Sequence, residues 1–296
     1  MTTLSHDHRV YINGTPLTGV QGSSFSFTKE TILRNVPKTI LGVQELLGEG
    51  QDVEVNLTTV AGFQTTDQAF DFLNSGLYST ENNNISFNDS YAKEEISGCY
   101  LTQYSVSASV GALVEISTTH VGSSVSTGAT LYTGETEHSA FEIFSPSDIS
   151  FAANFADASG AVSFPIQSVD ISVGIPRRKV VRHGSFEVTN RIPEPRQRNT
   201  FSFSVHKNDV EATDFDDIIL NTGDVQIYLD GCDGNILFGL RNSVFKGLTE
   251  TNSLDGVATY DFEFNFEKLT RVKSTGEISL FWDDSEFWND SNFWVE

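Results

Sequence analysis

The clearest alternation of apolar and polar residues in the chain lies in residues 100–118. From Tyr104 to Ile116 the even positions are Tyr, Val, Ala, Val, Ala, Val and Ile, whereas serines and Glu115 fill most odd positions. This period of two predicts a half-buried strand with one apolar and one polar face. Gly111 interrupts the pattern and predicts either a bend in one strand or the turn of a hairpin.

A second alternating segment lies at residues 257–269. Tyr260, Phe262, Phe264 and Phe266 fall on one face, and the intervening residues include acidic side chains. The Asp-Gly pair just before this segment favours a hairpin turn. The chain also has 23 phenylalanines and one methionine, which is typical of aromatic-rich β structure.

Three segments recur in the same order about 146 residues apart, which indicates an internal duplication. The aligned pairs start at Val20 and Ile166 (166 − 20 = 146), at Val53 and Phe201 (201 − 53 = 148), and at Thr65 and Ala212 (212 − 65 = 147). The third pair predicts one helix in each half, with an N-terminal capping pattern at Thr65 or Thr213 and a glycine at Gly76 or Gly223.

The predicted fold class is therefore mainly β, with two tandem domains of β-sandwich or open-barrel type, each with one flanking helix. The predicted boundaries are residues 1–125 for the first domain, 126–145 for a linker, 146–270 for the second domain and 271–296 for an extended tail. Residues 121–140 are rich in Gly, Ser and Thr, which predicts a linker or an exposed hairpin.

The two halves differ most in a long segment between their second and third strands. Residues 29–50 form a mixed-charge excursion, and a loop of that length in a compact domain is usually functional. Its counterpart, residues 175–198, holds seven basic residues against Glu187 and Glu194. The basic residues are Arg177, Arg178, Lys179, Arg182, Arg191, Arg196 and Arg198. The alternatives are a solvated loop with local ion pairs, docking onto an acidic face of another copy, or a nucleic-acid contact.

The last 26 residues contain three Phe-Trp pairs at a spacing of six, with tryptophans at Trp282, Trp288 and Trp294. A six-residue step does not fit a helical face. It fits an extended segment that presents every tryptophan on one side. We expect this tail to cover its own domain or a neighbouring subunit as an aromatic anchor, and the alternatives are disorder or stacking on carbohydrate.

The formal net charge is −22, which argues against ordinary nucleic-acid binding because that requires Lys and Arg near phosphates. An acidic surface repels DNA, and simple solubility is an equally good explanation of the charge. No apolar run is long enough to span a membrane. Cys99 and Cys232 are too few for a disulfide framework and are expected to be buried free thiols.

No motif for catalysis, metal binding or a cofactor is found. The segment starting at Asp230 resembles a calcium loop, but its twelfth position is Arg241 where a Glu is required. His6 and His8 lie at a terminus, where ligand geometry is rarely fixed. We therefore predict no catalytic residue, no metal, no cofactor and no enzymatic activity.

The YSVSASVG sequence at residues 104–111 resembles the late strands of the major tail tube proteins of long-tailed bacteriophages. The segment from Val10, VYINGTPLTGVQGSSFSF, is similar to that family's first hairpin. The segment from Ser145, SPSDIS, is similar to a short sequence motif of phage structural proteins. The resemblance implies a β-fold that stacks into hollow rings. Single-domain members form six-fold rings, so a fused pair implies a trimeric ring of six pseudo-equivalent domains, and the family's long loop implies contact with the next ring.

These expectations place the protein in the tail of a virion assembled in a host cytoplasm, with no membrane contact. Its partners would be itself, other tail proteins such as a sheath, tip or terminator, and DNA in transit. The expected contacts between subunits or rings are Arg177, Arg178, Lys179, Arg182, Arg196, Arg198, Trp282, Trp288 and Trp294. The candidates for the lumen are Glu115, Asp261 and Glu263. The alternatives are a tail-tip, baseplate or terminator ring of the same fold, and an acidic β-sandwich adhesin that binds saccharide.

Overall fold

A computed structural model describes a large part of the chain. The described residues are 9–17, 19–35, 44–60, 62–63, 82–88, 93–128, 142–143, 153–155, 166–181, 188–194, 198–210, 218–219, 223–231, 234–251 and 258–274. The predicted helix at residues 65–76, Cys232 and residues 275–296 of the predicted tail lie outside them, whereas residues 271–274 of that tail belong to the last strand.

The strands of the first half are β1 (Arg9–Ile12), β2 (Thr15–Pro16), β3 (Val20–Asn35), β4 (Gln44–Val60), β5 (Gly62–Phe63), β6 (Asn83–Asn88), β7 (Lys93–Ser109), β8 (Glu115–Gly122) and β9 (Ser124–Thr127). All the pairings among them are antiparallel. We refer to β1, β3, β4 and β6 to β9 as the first unit.

The strands of the second half are β10 (Glu142–Ile143), β11 (Ala153–Phe155), β12 (Ser168–Gly174), β13 (Arg177–Val181), β14 (Val188–Pro193), β15 (Arg198–His206), β16 (Val225–Gly231), β17 (Gly234–Arg241), β18 (Val244–Thr251), β19 (Thr259–Asn265) and β20 (Lys268–Ser274). We refer to β11 to β20 as the second unit. A 3-10 turn spans Lys207–Asp209. Ile218 and Ile219 are helical, within the segment predicted as a helix from Thr213. The prediction of a mainly β fold is confirmed.

One antiparallel path of strands runs through both units, in the order β3-β4-β8-β7-β12-β15-β19-β18. Four of these strands belong to each unit, and the order within the second unit repeats the order within the first. The pairing of β7 with β12 joins the units, and we call this pairing the internal seam. The two halves are thus connected by backbone hydrogen bonds within a single sheet.

The register repeats as well as the order. One row of opposed residues across the first unit corresponds to one row across the second: Phe25, Val55, His120 and Leu101, and then Ile171, Phe201, Phe264 and Phe245. The offsets along these rows are 146 for the first two strands (201 − 55) and 144 for the last two (264 − 120). Both rows also end at a register shift, between Leu101 and Gln103 in β7 and between Phe245 and Gly247 in β18.

A second layer in each unit also has a common order. In the first unit β9, β7, β6 and β1 are neighbours, and in the second unit β20, β17, β16 and β11 are neighbours. In the first unit the single long strand β7 belongs to both layers. In the second unit two strands take its place, β17 in the second layer and β18 in the eight-stranded path. Side chains from both layers of the second unit form one buried cluster, which makes this unit a sandwich.

The alternating segments bury most of the predicted faces, but Val110 and Ala112, next to Gly111, are exposed. Tyr104, Val106 and Ala108 are buried in β7, and Phe262, Phe264 and Phe266 are buried at β19. Gly111 lies in a tight turn with φ +85°, in the left-handed region that favours glycine. The turn joins β7 and β8 as a hairpin, so of the two alternatives for Gly111 the hairpin is observed.

The prediction of a long loop at residues 29–50 is wrong for most of that segment. The pairing of β4 with β8 ends at Val53, but β3 and β4 continue to pair past this point, from Thr31 opposite Gly48 to Asn35 opposite Gln44. The counterpart at residues 175–198 contains the hairpin of β13 and β14, which we call the arm. Pairing is favoured over an irregular excursion because it gives each backbone N–H and C=O a partner.

The Gly, Ser and Thr-rich segment at residues 121–140 begins as strand structure. The strand β8 ends at Gly122, and β9 pairs with the first half of β7. Gly122 makes this close packing feasible, since a Cβ there would approach Ile96 Cγ2 to 2.6 Å. Residues 129–140 lie outside the described part of the chain.

Candidate assembly interface

The internal seam shows how two units of this fold associate side by side. Seven residue pairs form it, from Ser168 opposite Ser109 to Gly174 opposite Gln103. Val173 lies opposite Tyr104 on the core side, and both side chains are buried. Ser172 lies opposite Ser105 on the other face. The seam therefore has an apolar inner face, and its outer face carries mainly serines, with Asp170 opposite Ser107.

The arm extends from the second unit and lies against the first. Lys179 in β13 and Arg191 in β14 are directly opposite one another, and both form ion pairs with Asp52 of β4. The Arg191 side chain is only 4% exposed, and its Nη2 also donates to the carbonyl of Gly122 at 3.4 Å. Three charged side chains thus connect the arm to the first unit.

The charge environment of Asp52 keeps its carboxylate ionised. Burial by itself would raise its pKa, but hydrogen bonds from Lys179 and Arg191 and their positive charges outweigh burial, so the pKa is lowered from 3.8. Because the folded-state pKa is the lower one, the stabilisation is present above the ordinary value and is lost as the pH falls through the folded-state pKa.

Arg177 and Tyr100 form a second connection between the arm and the first unit. Arg177 Nε donates to the carbonyl of Leu101 at 2.7 Å, and its guanidinium lies 5.3 Å from the centre of the Tyr100 ring. The Tyr100 hydroxyl donates to Asn190 Oδ1 at 2.9 Å. Burial lowers the pKa of Arg177.

The residues predicted to contact other subunits have different locations. Arg177 and Lys179 contact the first unit of the same chain, whereas the Arg178 side chain is exposed. Arg198 begins β15, and only its backbone is described. Arg182, Arg196, Trp282, Trp288 and Trp294 lie outside the described residues. Local sequence patterns do not indicate the ion pairs to Asp52, because Asp52 is 139 residues from Arg191 and only the tertiary fold brings them together.

The three acidic residues proposed for a lumen lie on strands of the sheet. Glu115 begins β8 and is exposed, and Asp261 and Glu263 are half-buried in β19. Glu263 forms an ion pair with Lys246, and Asp261 Oδ2 accepts a hydrogen bond from the Thr251 hydroxyl at 3.3 Å. Asp261 and Glu263 alternate with Phe262 and Phe264, so they lie on the face opposite the core.

His120 is fully buried in the first unit, at the row position that Phe264 occupies in the second. Burial lowers the pKa of His120 to about 4, and the positive charge of Arg177 acts in the same direction. The unfolded chain therefore binds a proton at a pH where folded His120 remains neutral. Stability is expected to fall as the pH drops from 6.5 towards 4.

Replacing His120 by phenylalanine is expected to remove this pH dependence. At pH 5 the wild-type chain should lose about 2 kcal/mol of unfolding free energy relative to neutral pH through this residue, and His120→Phe should not. Urea unfolding followed by circular dichroism at pH 7.5 and pH 5 measures both values. An equal loss of stability in the two proteins between these pH values would contradict the assignment.

Cys99 is buried as a free thiol, as predicted, and burial raises its pKa to about 12. Within the described ranges, no three or more His, Cys, Asp or Glu side chains are grouped so that they could hold a metal ion. A search of the same residues finds no helix long and apolar enough to cross a membrane.

Comparison with known proteins finds similarity to solved structures. No family model matches the chain, and no curated protein matches it. Among solved structures, the chain is similar to one from the "Virion of native gene transfer agent (GTA) particle", with a TM-score of 0.34 and 14% sequence identity. The match covers 43% of this chain and 100% of that chain.

Proposed function

We propose that this protein is a virion structural protein that self-assembles into rings, and that the rings stack into the tail tube through which a phage genome is delivered. In this proposal each chain contributes two tail-tube-like domains that arose by duplication. Three chains form a ring of six pseudo-equivalent domains. The role is structural and requires neither catalysis nor a cofactor.

The internal seam is the observation that carries this proposal. It joins two units that have the same strand order and the same register, so each unit presents a different edge to its neighbour. Contacts of this heterologous kind produce a closed ring when the rotation between units closes, and an open filament when it does not. A protein that already contains one such contact is suited to forming more of them.

The acidic charge of the protein agrees with a channel through which DNA passes. The chain carries a formal charge of −22, and Asp261 and Glu263 lie on the face of the sheet opposite the core. A wall with this charge repels phosphates, so it would let DNA slide without binding it. The proposed role places the protein in a virion, the kind of particle from which the gene transfer agent chain comes. Its further partners would be other tail proteins.

Negative-stain electron microscopy combined with mass measurement tests the proposal on the full-length protein. We expect rings with the mass of three chains, and stacks or tubes of such rings at high concentration. Isolated single rings that never stack would support a tail-tip or terminator adaptor in place of a tube. A chain that stays monomeric at high concentration would contradict self-assembly, and saccharide-dependent quenching of its tryptophan fluorescence would then favour an adhesin.

A further inference from the structure

Each unit has two edge strands in the eight-stranded path, and the internal seam joins one edge of the first unit to one edge of the second. The strand β7 occupies in the first unit the position that β18 occupies in the second, and β12 occupies the position of β3. The seam therefore joins a strand of the β18 type to a strand of the β3 type. Among the strands that the structure describes, β3 and β18 each have a neighbour on one side only, at opposite ends of the eight-stranded path.

These two edges expose apolar side chains at positions whose equivalents are buried by the internal seam or by the arm. Val173 of β12 is completely buried, whereas Phe27, its equivalent in β3, is 51% exposed. Beyond the end of the seam, Tyr100 of β7 is covered by the arm and is 5% exposed, whereas Val244, its equivalent in β18, is 50% exposed. An edge strand with exposed apolar residues is a template for pairing with another chain. Among the described residues, the side chains at these two edges are thus less covered than their equivalents at the internal junction.

We propose that β18 of one copy pairs with β3 of a second copy, antiparallel and in the register of the internal seam. This proposal rests on the proposed self-assembly and specifies its contact. The pairs of β3 and β18 follow from those of β12 and β7, by subtracting 146 from the residue numbers of β12 and adding 144 to those of β7. Phe27 then lies opposite Leu248, as Val173 lies opposite Tyr104. The same offsets place Ser26 opposite Thr249, as Ser172 is opposite Ser105.

The side chains of the two edges suit this register. Leu248 is half-buried against the core of the second unit and is next to the place that Phe27 of the other copy would fill. Ser26 and Thr249 are hydroxyl residues, like their equivalents Ser172 and Ser105 on the outer face of the internal seam. Glu250 would lie opposite Phe25, and its charge is already compensated because Lys207 Nζ lies 2.7 Å from its carboxylate.

A disulfide between the two edges tests the register on the full chain. We use Ser26→Cys with Thr249→Cys in a Cys232→Ser background, and we oxidise the assembled protein. Within one chain β3 and β18 are separated by seven strand steps, or about 34 Å along the sheet, so a bond between them must join two chains. We expect a covalent ladder on a non-reducing gel that ends at the mass of the closed ring.

The matched control moves one cysteine by two residues along the same face. Ser26→Cys with Thr251→Cys places the two positions diagonally, at about 7–8 Å, which exceeds the reach of a disulfide. We expect this pair to give at least about fivefold less cross-linked product, because its geometry requires backbone movement. Equal cross-linking of the two pairs would overturn the proposed register.

A second variant tests the contact without cysteines. Phe27→Glu places a charge at the proposed seam, and we expect it to shift sedimentation from the assembled species to single chains, whereas Phe27→Leu should still assemble. Circular dichroism should show both variants folded, since Phe27 is half exposed in the single chain. Normal assembly of folded Phe27→Glu would overturn the seam.

The outcomes separate the seam from the proposed function. Rings in electron micrographs without a Ser26–Thr249 cross-link would disprove this seam and leave ring formation intact. A wild-type chain that remains monomeric would disprove both. A cross-linked ring that does not stack would support the seam and count against the tube.

Discussion

Replacing Phe264 by alanine is expected to lower the free energy of unfolding by about 3–5 kcal/mol. Phe264 is completely buried, and its ring stacks on Phe201 with the centroids 4.7 Å apart. It also meets Phe245 edge-on at 5.6 Å. Truncation would leave a cavity among rigid aromatic rings and would remove these ring contacts. Urea unfolding followed by far-ultraviolet circular dichroism measures the loss; all three tryptophans are in the C-terminal tail, so their fluorescence would not follow the core.

Phe27→Ala is the matched control for this change. It removes the same atoms from a ring that is 51% exposed, so we expect a cost below about 1 kcal/mol in the single chain. Similar losses in the two variants would contradict the assigned burial of Phe264. Because Phe27 lies at the proposed seam, its truncation should weaken assembly more than it weakens folding.

Replacing Arg191 by methionine is expected to lower the free energy of unfolding by about 3 kcal/mol. Methionine keeps much of the side-chain volume but removes the charge that is paired with Asp52 and the hydrogen bond to the carbonyl of Gly122. Since the Arg191 side chain is only 4% exposed, water cannot replace these interactions. Limited proteolysis of the arm gives a second measurement, as the hairpin should be cleaved faster when it no longer docks on the first unit.

Lys246→Met is the control for the loss of an ion pair. Lys246 pairs with Glu263, but both side chains are close to half exposed, and such pairs contribute at most about 1 kcal/mol. A double-mutant cycle of Arg191→Met with Asp52→Asn isolates the coupling, which we expect to exceed about 1 kcal/mol. A coupling near zero would show that Asp52 does not hold the arm in place.

The predictions from local pattern succeeded where one face of a strand packs on a core. The period of two in β7 and β19 correctly predicted which side chains are buried, because alternation is a direct consequence of strand geometry. The offset of 146 found in the sequence at Val20 and Ile166 is also the offset at which β3 and β12 have equivalent pairing. The duplication itself stays a prediction.

The location of the basic residues could not be predicted in the same way. A cluster of arginines and lysines suggests a partner, but composition does not distinguish another molecule from a distant part of the same chain. Lys179 and Arg191 contact Asp52, more than 120 residues away (179 − 52 = 127), and the hairpin geometry that places them side by side is invisible to a local pattern. The long segment at residues 29–50 likewise gave no strand signal.

The sequence alone determined the β class and the alternating buried faces of β7 and β19, since both follow from the period of the side chains. The tertiary structure decided that the units join by pairing β7 with β12, that the arm turns back onto the first unit, and that β3 and β18 lie at the two ends of the path formed by the described strands. The reason is physical: strand partners and ion pairs are chosen by the free energy of the whole sheet, and residues far apart in the chain contribute to it equally.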